Sequence, residues 1–202
     1  MENWIDNTKD LNLIEQYAVE NDCYVTGDKI RISGIMLHSV GSAQPSAKAY
    51  ASSFNTFNPN GSEVCPHAFI QSDGTVYQLL PWDMKGWHAG GSANSSHIGL
   101  EMCESSSIVY IDDTQLYAED ESVVEYTRNT YEAAARLCAA LCIRYELDPL
   151  EDGVIISHSE GNARGMASAH HDPEHLWDGL GLDYSMDSFR LEVAAIMKTM
   201  KK

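Results

Sequence analysis

Two short apolar runs, far apart in the chain, each lead into a histidine. Residues 35–37 (Ile, Met, Leu) precede His38, and residues 154–156 (Val, Ile, Ile) precede Ser157 and His158. Uninterrupted apolar runs of this length are typical of strands buried on both faces, which occur where helices cover both sides of a sheet. The pattern predicts two buried strands that each place a histidine at the edge of a sheet.

Other segments predict the partners of these strands. Residues 68–71 and 75–79 flank an Asp-Gly pair, which supplies the positive φ angle of a tight hairpin turn. Residues 97–102 predict a strand with Ile and Leu on one face and Glu101 on the other. Glu101 is therefore expected to be a carboxylate on a strand.

Three segments predict helices. Residues 46–54 carry aromatic side chains at helical spacing, and Ser122 with Glu125 forms a capping-box pattern ahead of a periodic apolar stretch that ends at Asp148. The last helix begins at Ser185 and closes in lysines. Because strands and helices alternate, the predicted fold class is α/β, with a central mixed β-sheet flanked by helices.

The 202 residues contain no internal repeat and no linker-like stretch, which predicts a single domain over residues 1–202. Residues 1–30 are interpreted as an N-terminal arm, helical over residues 7–19, and residues 105–121 as an acidic surface insertion. Five cysteines without a C-x-x-C pair do not suggest a disulfide framework.

The charge excludes several classes of partner. Thirteen basic against 30 acidic residues give a net charge of −17, which repels phosphate backbones and anionic lipid surfaces, so we expect neither nucleic acid nor membrane as a partner. The first residues lack the basic and apolar regions of a secretory signal, so we expect synthesis in the cytoplasm.

Histidines and carboxylates suggest a metal site. His38 and His158 end apolar strands, and a second cluster of His, Asp and Glu lies at residues 170–175. Catalytic zinc usually takes three such ligands and leaves one position for water. A histidine after an apolar strand is also commonly structural, so the spacing alone leaves both interpretations open.

Five segments in one order carry a resemblance: Gly-Ile-Met-Leu-His-Ser at 34–39, Ser-Asp-Gly-Thr-Val-Tyr-Gln at 72–78, Gly-Trp-His-Ala-Gly at 86–90, His-Ile-Gly-Leu-Glu at 97–101, and Ser-His at 157–158 with Asp-Pro at 172–173. Together they resemble the zinc-dependent N-acetylmuramoyl-L-alanine amidases of the second amidase family, relatives of the peptidoglycan recognition proteins. The resemblance implies one Zn²⁺ per chain and hydrolysis of the amide between N-acetylmuramic acid and L-alanine.

The resemblance also implies roles for individual residues. His38, His158 and Asp172 match the family's metal ligands, and Glu101 matches the glutamate that serves the attacking water. His170 stands where the family often has a lysine, and an N–H donor there can stabilise the negative charge of the reaction.

Alternatives remain for several of these positions. The interval from His158 to Asp172 is longer than in the plain form of this loop, so the third ligand could instead be one of three neighbours: His171, Glu174 or His175. Asp172 before a proline is also an ordinary helix start, and Glu101 could be only the polar face of a strand.

Three residues are candidates for substrate binding. Trp87 and His88, flanked by glycines, suit a sugar or peptide groove, although a core aromatic and a surface histidine fit equally well. Arg164 could bind a stem-peptide carboxylate through its planar fork. His67 and His97 are expected to be structural.

These features predict a zinc amidase that acts on peptidoglycan as a monomer after release from the cell, in the manner of an endolysin. A separate wall-binding domain or partner would help it, because a wall rich in teichoic acids is polyanionic and repels so acidic a chain. The alternatives are a peptidoglycan-binding module without catalysis, and a zinc amidase or peptidase on another muropeptide amide.

Overall fold

The computed structural model describes residues 11–57, 64–112 and 115–200. Its eight strands are β1 (Asn12–Glu15), β2 (Gly34–Ser39), β3 (Ala68–Ile70), β4 (Thr75–Gln78), β5 (His97–Met102), β6 (Ile108–Tyr110), β7 (Leu116–Ala118) and β8 (Ile155–Ser157). Its α-helices are α1 (Asp22–Thr26), α2 (Ala47–Ser53), α3 (Ser122–Tyr145), α4 (His158–Ala163), α5 (Glu174–Gly179) and α6 (Met186–Met200).

Six strands form one mixed sheet in the order β1-β4-β3-β5-β2-β8. The β3–β4 pair is antiparallel, as the Asp-Gly hairpin predicts, and every other pair in this sheet is parallel. The predicted central mixed β-sheet is therefore confirmed. Because β5, β2 and β8 run parallel, their carboxyl ends meet at one edge of the sheet.

Helices cover both faces of the sheet. On one face Ile35 and Leu37 pack with side chains of α3, α5 and α6, including the fully buried Trp177 and Phe189. On the other face Met36 packs beside α4 and the short 3₁₀ turn at Ser92–Ser95. Alternation along β2 puts His38 on the face of Met36, so this histidine lies at the carboxyl edge on the α4 side.

The predicted helical arm is wrong within the described residues. Asn12–Glu15 is a strand that pairs in parallel with β4 and forms one edge of the sheet, and the helix that follows covers only Asp22–Thr26. Residues 1–10, including the start of the predicted helix, lie outside the described residues. The pairing with β4 joins segments about sixty residues apart, so local periodicity could not reveal it.

The segment interpreted as an acidic surface insertion, residues 105–121, contains regular structure and contributes to the core. Strands β6 and β7 pair as an antiparallel hairpin, and Ile108 and Leu116 are buried in the main core. Residues 113–114 lie outside the described residues. The expected capping box is also wrong: Ser122 is the first residue of α3, and its N–H donates to Asp120 over 2.8 Å.

Cys103, Cys138 and Cys142 are buried thiols, and the last two lie on α3. Among the described residues, no helix is long and apolar enough to cross a bilayer.

Candidate active site

Three side chains meet at the carboxyl edge of the sheet. His38 lies near the end of β2, His158 is the first residue of α4 directly after β8, and Asp172 precedes α5. Nδ1 of His38 lies 3.0 Å from Oδ2 of Asp172 and 3.1 Å from Nδ1 of His158. The same Nδ1 atom of His158 lies 3.5 Å from Oδ1 of Asp172. Ligands about 2.0–2.1 Å from a tetrahedral zinc ion would be about 3.3 Å apart, so this spacing suits a metal.

The charges of the group also suit a cation. All three residues are buried, and the two Nδ1 atoms are too close for both to carry a proton. Burial opposes protonation of His38, but the carboxylates of Glu101 and Asp172 outweigh it and raise the pKa of His38. Burial and the neighbouring His38 lower the pKa of His158 to about 4. The two carboxylates thus favour a positive charge beside His38, which a metal ion held by the buried His-His-Asp group would supply.

Glu101 lies beside this group on β5. Its backbone is in register with His38 on β2, and its buried Oε2 atom has no hydrogen-bond partner within the described part of the chain. Burial raises the pKa of Glu101 to about 7; the charge of His38 lowers it, while Asp172 and Glu104 add to the rise. A carboxylate whose pKa lies near neutrality is suited to take and return a proton.

A cleft of about 370 Å³ opens over these residues. His38, Glu101, His158 and Asp172 line its floor together with aromatic side chains, namely Tyr50, Phe54, Phe69 and Trp87. Trp87 is 44% exposed. The cleft thus combines an apolar, aromatic wall with a small group of polar side chains, as ligand sites commonly do.

His170 lies at the rim of this cleft. Its ring centroid is 4.7 Å from that of His158, and it also lines a second, neighbouring cleft of about 650 Å³. The side chain is exposed and can contact a molecule bound in the cleft.

The alternatives for the third ligand point elsewhere. Glu174 accepts a hydrogen bond from Ser157 over 2.5 Å, and Nε2 of His175 lies 3.5 Å from the Tyr110 hydroxyl. His171 is exposed and lines only the second cleft. The Asp172 side chain also does not cap α5, whose N-cap is Pro173.

Of the three predicted substrate-binding residues, Trp87 and His88 line the first cleft and Arg164 does not. His88 is buried, and both of its ring nitrogens have partners in the protein. Its Nδ1 atom lies within hydrogen-bond distance of Nε2 of His38, and its Nε2 atom lies within hydrogen-bond distance of the His97 carbonyl oxygen. Arg164 lies at the opposite end of α4 from His158, and its guanidinium makes two hydrogen bonds to Asp152 instead of facing either cleft beside the histidines.

His67 and His97 are structural, as expected. Nε2 of His67 bonds the Met84 carbonyl and its Nδ1 accepts the N–H of Gly99, while Nε2 of His97 bonds the Gly153 carbonyl. Burial lowers the pKa of both rings, that of His67 to about 4.

Sequence reasoning missed Glu104, which follows the end of β5. Its buried carboxylate accepts the N–H of Gly41 over 2.9 Å and a short hydrogen bond from the Tyr110 hydroxyl. Burial raises the pKa of Glu104 to about 7, against the effect of these two bonds. Glu104 thus ties the loop after β2 to β6. Its position just beyond the predicted strand 97–102 was the available signal.

Solved structures of amidase catalytic domains share this fold. The catalytic domain of XlyA superposes with a TM-score of 0.64 at 21% identity, covering 91% of this chain and 99% of that one. The hydrolase AmiA of Staphylococcus aureus, solved with its ligand, gives a TM-score of 0.68 at 18% identity over 95% of this chain and 86% of that one.

Curated relatives match over shorter stretches. The N-acetylmuramoyl-L-alanine amidase CwlH of Bacillus subtilis (strain 168) is 37% identical over 76 residues, 36% of this chain and 30% of the relative. The 1,6-anhydro-N-acetylmuramyl-L-alanine amidase AmpD of Citrobacter freundii is 34% identical over 82 residues, 41% of this chain and 39% of the relative. The matched stretch is thus well under half of either relative's length.

The family profile described as N-acetylmuramoyl-L-alanine amidase matches residues 28–175, a range that contains His38, Glu101, His158 and Asp172. It covers well over half of the 202 residues. The chain therefore belongs to the N-acetylmuramoyl-L-alanine amidase family.

Proposed function

We propose that this protein is a zinc-dependent hydrolase of the amide bond between N-acetylmuramic acid and L-alanine in peptidoglycan. The observation that carries the proposal is the conjunction of two features in one cleft: three buried donors at metal-ligand spacing, and the unpartnered Oε2 atom of Glu101 beside them. The names of the relatives and the family membership supply the substrate class.

In this proposal His38, His158 and Asp172 hold one zinc ion per chain. Zinc at such a site polarises an amide carbonyl and lowers the pKa of a water molecule to about 7. Glu101 takes the proton of the attacking water and later gives it to the nitrogen of the leaving L-alanine. Burial raises the pKa of Glu101 above that of an exposed carboxyl, which favours return of the proton to the leaving amine.

His170 and Trp87 act on the substrate. His170, above the ring of His158, donates an N–H to the oxygen on which negative charge develops, and a donor of this kind contributes about 3 kcal/mol. The exposed face of Trp87 packs against the sugar or the stem peptide.

The rival function is recognition of peptidoglycan without cleavage. A binding module needs neither a complete set of metal donors nor a buried carboxylate without a partner, because leaving a buried polar atom unsatisfied costs stability. The retention of both features favours catalysis.

Digestion of purified peptidoglycan, followed by mass spectrometry, tests the proposal. An amidase releases stem peptides with a free L-alanine amine and leaves glycan strands with free lactyl carboxylates, whereas a binding module releases neither. Products cut at another amide would support the alternative, a zinc amidase or peptidase of different specificity. Glu101→Gln is the matched inactive control.

The cellular setting follows from the same chemistry. We propose that the protein acts on the wall after release from the cell, as endolysins do, and works as a monomer. With a net charge of −17 it approaches a polyanionic wall through contacts of the cleft or through a separate wall-binding domain or partner, instead of through electrostatic attraction.

A further inference from the structure

The ring of His38 is held by a chain of hydrogen bonds behind the proposed metal site. Nε2 of His38 lies 3.0 Å from Nδ1 of His88, and Nε2 of His88 lies 3.1 Å from the carbonyl oxygen of His97. A carbonyl can only accept, so the His88 proton is on Nε2 and its Nδ1 is an acceptor. His38 therefore donates from Nε2, which leaves its Nδ1 lone pair facing Asp172.

A second chain holds the ring of His158. The hydroxyl of Ser168 donates to the carbonyl oxygen of Ala89 over 3.2 Å, and Nε2 of His158 lies 3.2 Å from the same hydroxyl oxygen. The single hydroxyl proton is used by the carbonyl, so the Ser168 oxygen accepts from Nε2–H of His158. The lone pair of His158 is then on Nδ1, 3.1 Å from Nδ1 of His38.

We infer that His88 and Ser168 are positioning residues that fix both histidines in the tautomer whose Nδ1 lone pair faces Asp172, and thereby set the affinity of the site for a divalent cation. The inference rests on the proposed function, because it concerns the same metal donors. It assigns His88, which also lines the cleft, a role toward the metal donor His38 that the sequence did not suggest.

Both chains depend on one two-residue segment. His88 supplies the ring for the first chain and Ala89 the carbonyl for the second. The buried side chain of Asn94 accepts the backbone N–H of His88 over 2.9 Å and of Ala89 over 2.8 Å. Because Asn94 fixes this segment, both histidines are oriented by a single rigid support.

Two glycines make room for the positioning side chains. A Cβ atom on Gly99 would lie 2.3 Å from Cγ of the His88 ring. A Cβ atom on Gly90, whose φ angle is +63°, would lie 2.7 Å from the hydroxyl oxygen of Ser168. Gly99 and Gly90 thus lack a side chain at the points where His88 and Ser168 pack, and any larger residue there would collide with them.

Zinc affinity, measured by competition with a chromophoric chelator, tests the inference. Loss of a hydrogen-bond partner behind a metal ligand typically weakens metal binding about 10–100-fold, and we expect this for His88→Leu and for Ser168→Ala. His88→Asn, whose amide oxygen can take the place of Nδ1, should recover part of the affinity. Thr130→Val is the matched control, because the buried Thr130 hydroxyl donates to the Tyr126 carbonyl within α3 and belongs to neither chain.

A spectroscopic measurement gives a readout independent of turnover. In the zinc-loaded wild type, ¹⁵N-resolved NMR should show the ring protons of His38 and His158 on Nε2. Ring protons on Nδ1, unchanged zinc affinity in both His88→Leu and Ser168→Ala, or an equal loss in Thr130→Val would each overturn the inference. If His88→Leu does not fold, Ser168→Ala decides. A wild type that binds no zinc would instead overturn the proposed function.

Discussion

Replacing Glu101 by glutamine should separate proton transfer from metal binding. Glutamine keeps the shape of the side chain but can neither take a proton from water nor deliver one. Loss of a general base typically lowers the rate about 10²–10⁴-fold, so we expect kcat to fall in that range. Zinc content should stay at the wild-type level, because Glu101 is not among the three proposed metal donors.

The same substitution should stabilise the metal-free protein, and the pH dependence of the effect follows from the structure. The pKa of Glu101 rises from 4.5 to about 7 on folding, chiefly through burial. At 1.36 kcal/mol per pH unit, this rise corresponds to at most about 3 kcal/mol. The native state binds the proton more tightly than the unfolded state, so wild-type stability falls as pH rises from about 4.5 to about 7.

Glutamine carries no charge, so the folded variant does not lose the stability that wild type loses when the buried Glu101 ionises. The advantage of Glu101→Gln should therefore be absent at pH 4, grow up to about pH 7 and stay constant above. For a chain of this size about 3 kcal/mol corresponds to roughly 6–12 °C in Tm, which thermal unfolding in the presence of a chelator can measure. The chelator is needed because a bound cation would itself lower the pKa of Glu101.

Glu119→Gln is the matched control. Glu119 is exposed and directly follows β7, so its replacement should change neither stability nor turnover. A Glu101→Gln variant that keeps its kcat, that loses zinc, or whose gain in Tm is the same at every pH would refute this reasoning.

Four other outcomes are expected. His38→Ala and Asp172→Ala should each lose both zinc, by elemental analysis, and wall clearing, by turbidity. Trp87→Ala should raise KM about tenfold, equivalent to about 1.4 kcal/mol, with a smaller change in kcat. Arg164→Ala should leave kcat and zinc content unchanged. It should lower the unfolding free energy by less than about 1 kcal/mol in a denaturant titration, because the side chain of its partner Asp152 is 85% exposed and surface ion pairs contribute little. Wall clearing should rise, not fall, as salt increases toward about 0.15 M, where the Debye length is about 8 Å.

The meeting of His38 and His158 at one end of the sheet could be predicted because the surroundings of each histidine are local in sequence. Apolar runs before His38 and His158 specify buried strands, and parallel neighbours in a sheet bring the ends of such strands together. The amidase resemblance then added Asp172 and Glu101, which no spacing rule would have selected. The structure places all four around one cleft.

Other features depend on contacts between distant segments. The stretch Asn12–Glu15 is a strand only because β4 offers a free edge, and the burial of Ile108 and Leu116 requires the main core. His88 follows an exposed tryptophan between glycines, so its sequence context suggested a surface. The missing information was that bare backbone at Gly99 leaves space for its ring.

The most direct test of the account is a zinc titration of the metal-free protein with amide cleavage followed in the same sample. Release of free L-alanine amines from peptidoglycan should rise in proportion to added zinc and level off at about one ion per chain, as a site with three protein ligands predicts. Full cleavage by the metal-free protein, or saturation with zinc that restores no cleavage, would contradict it.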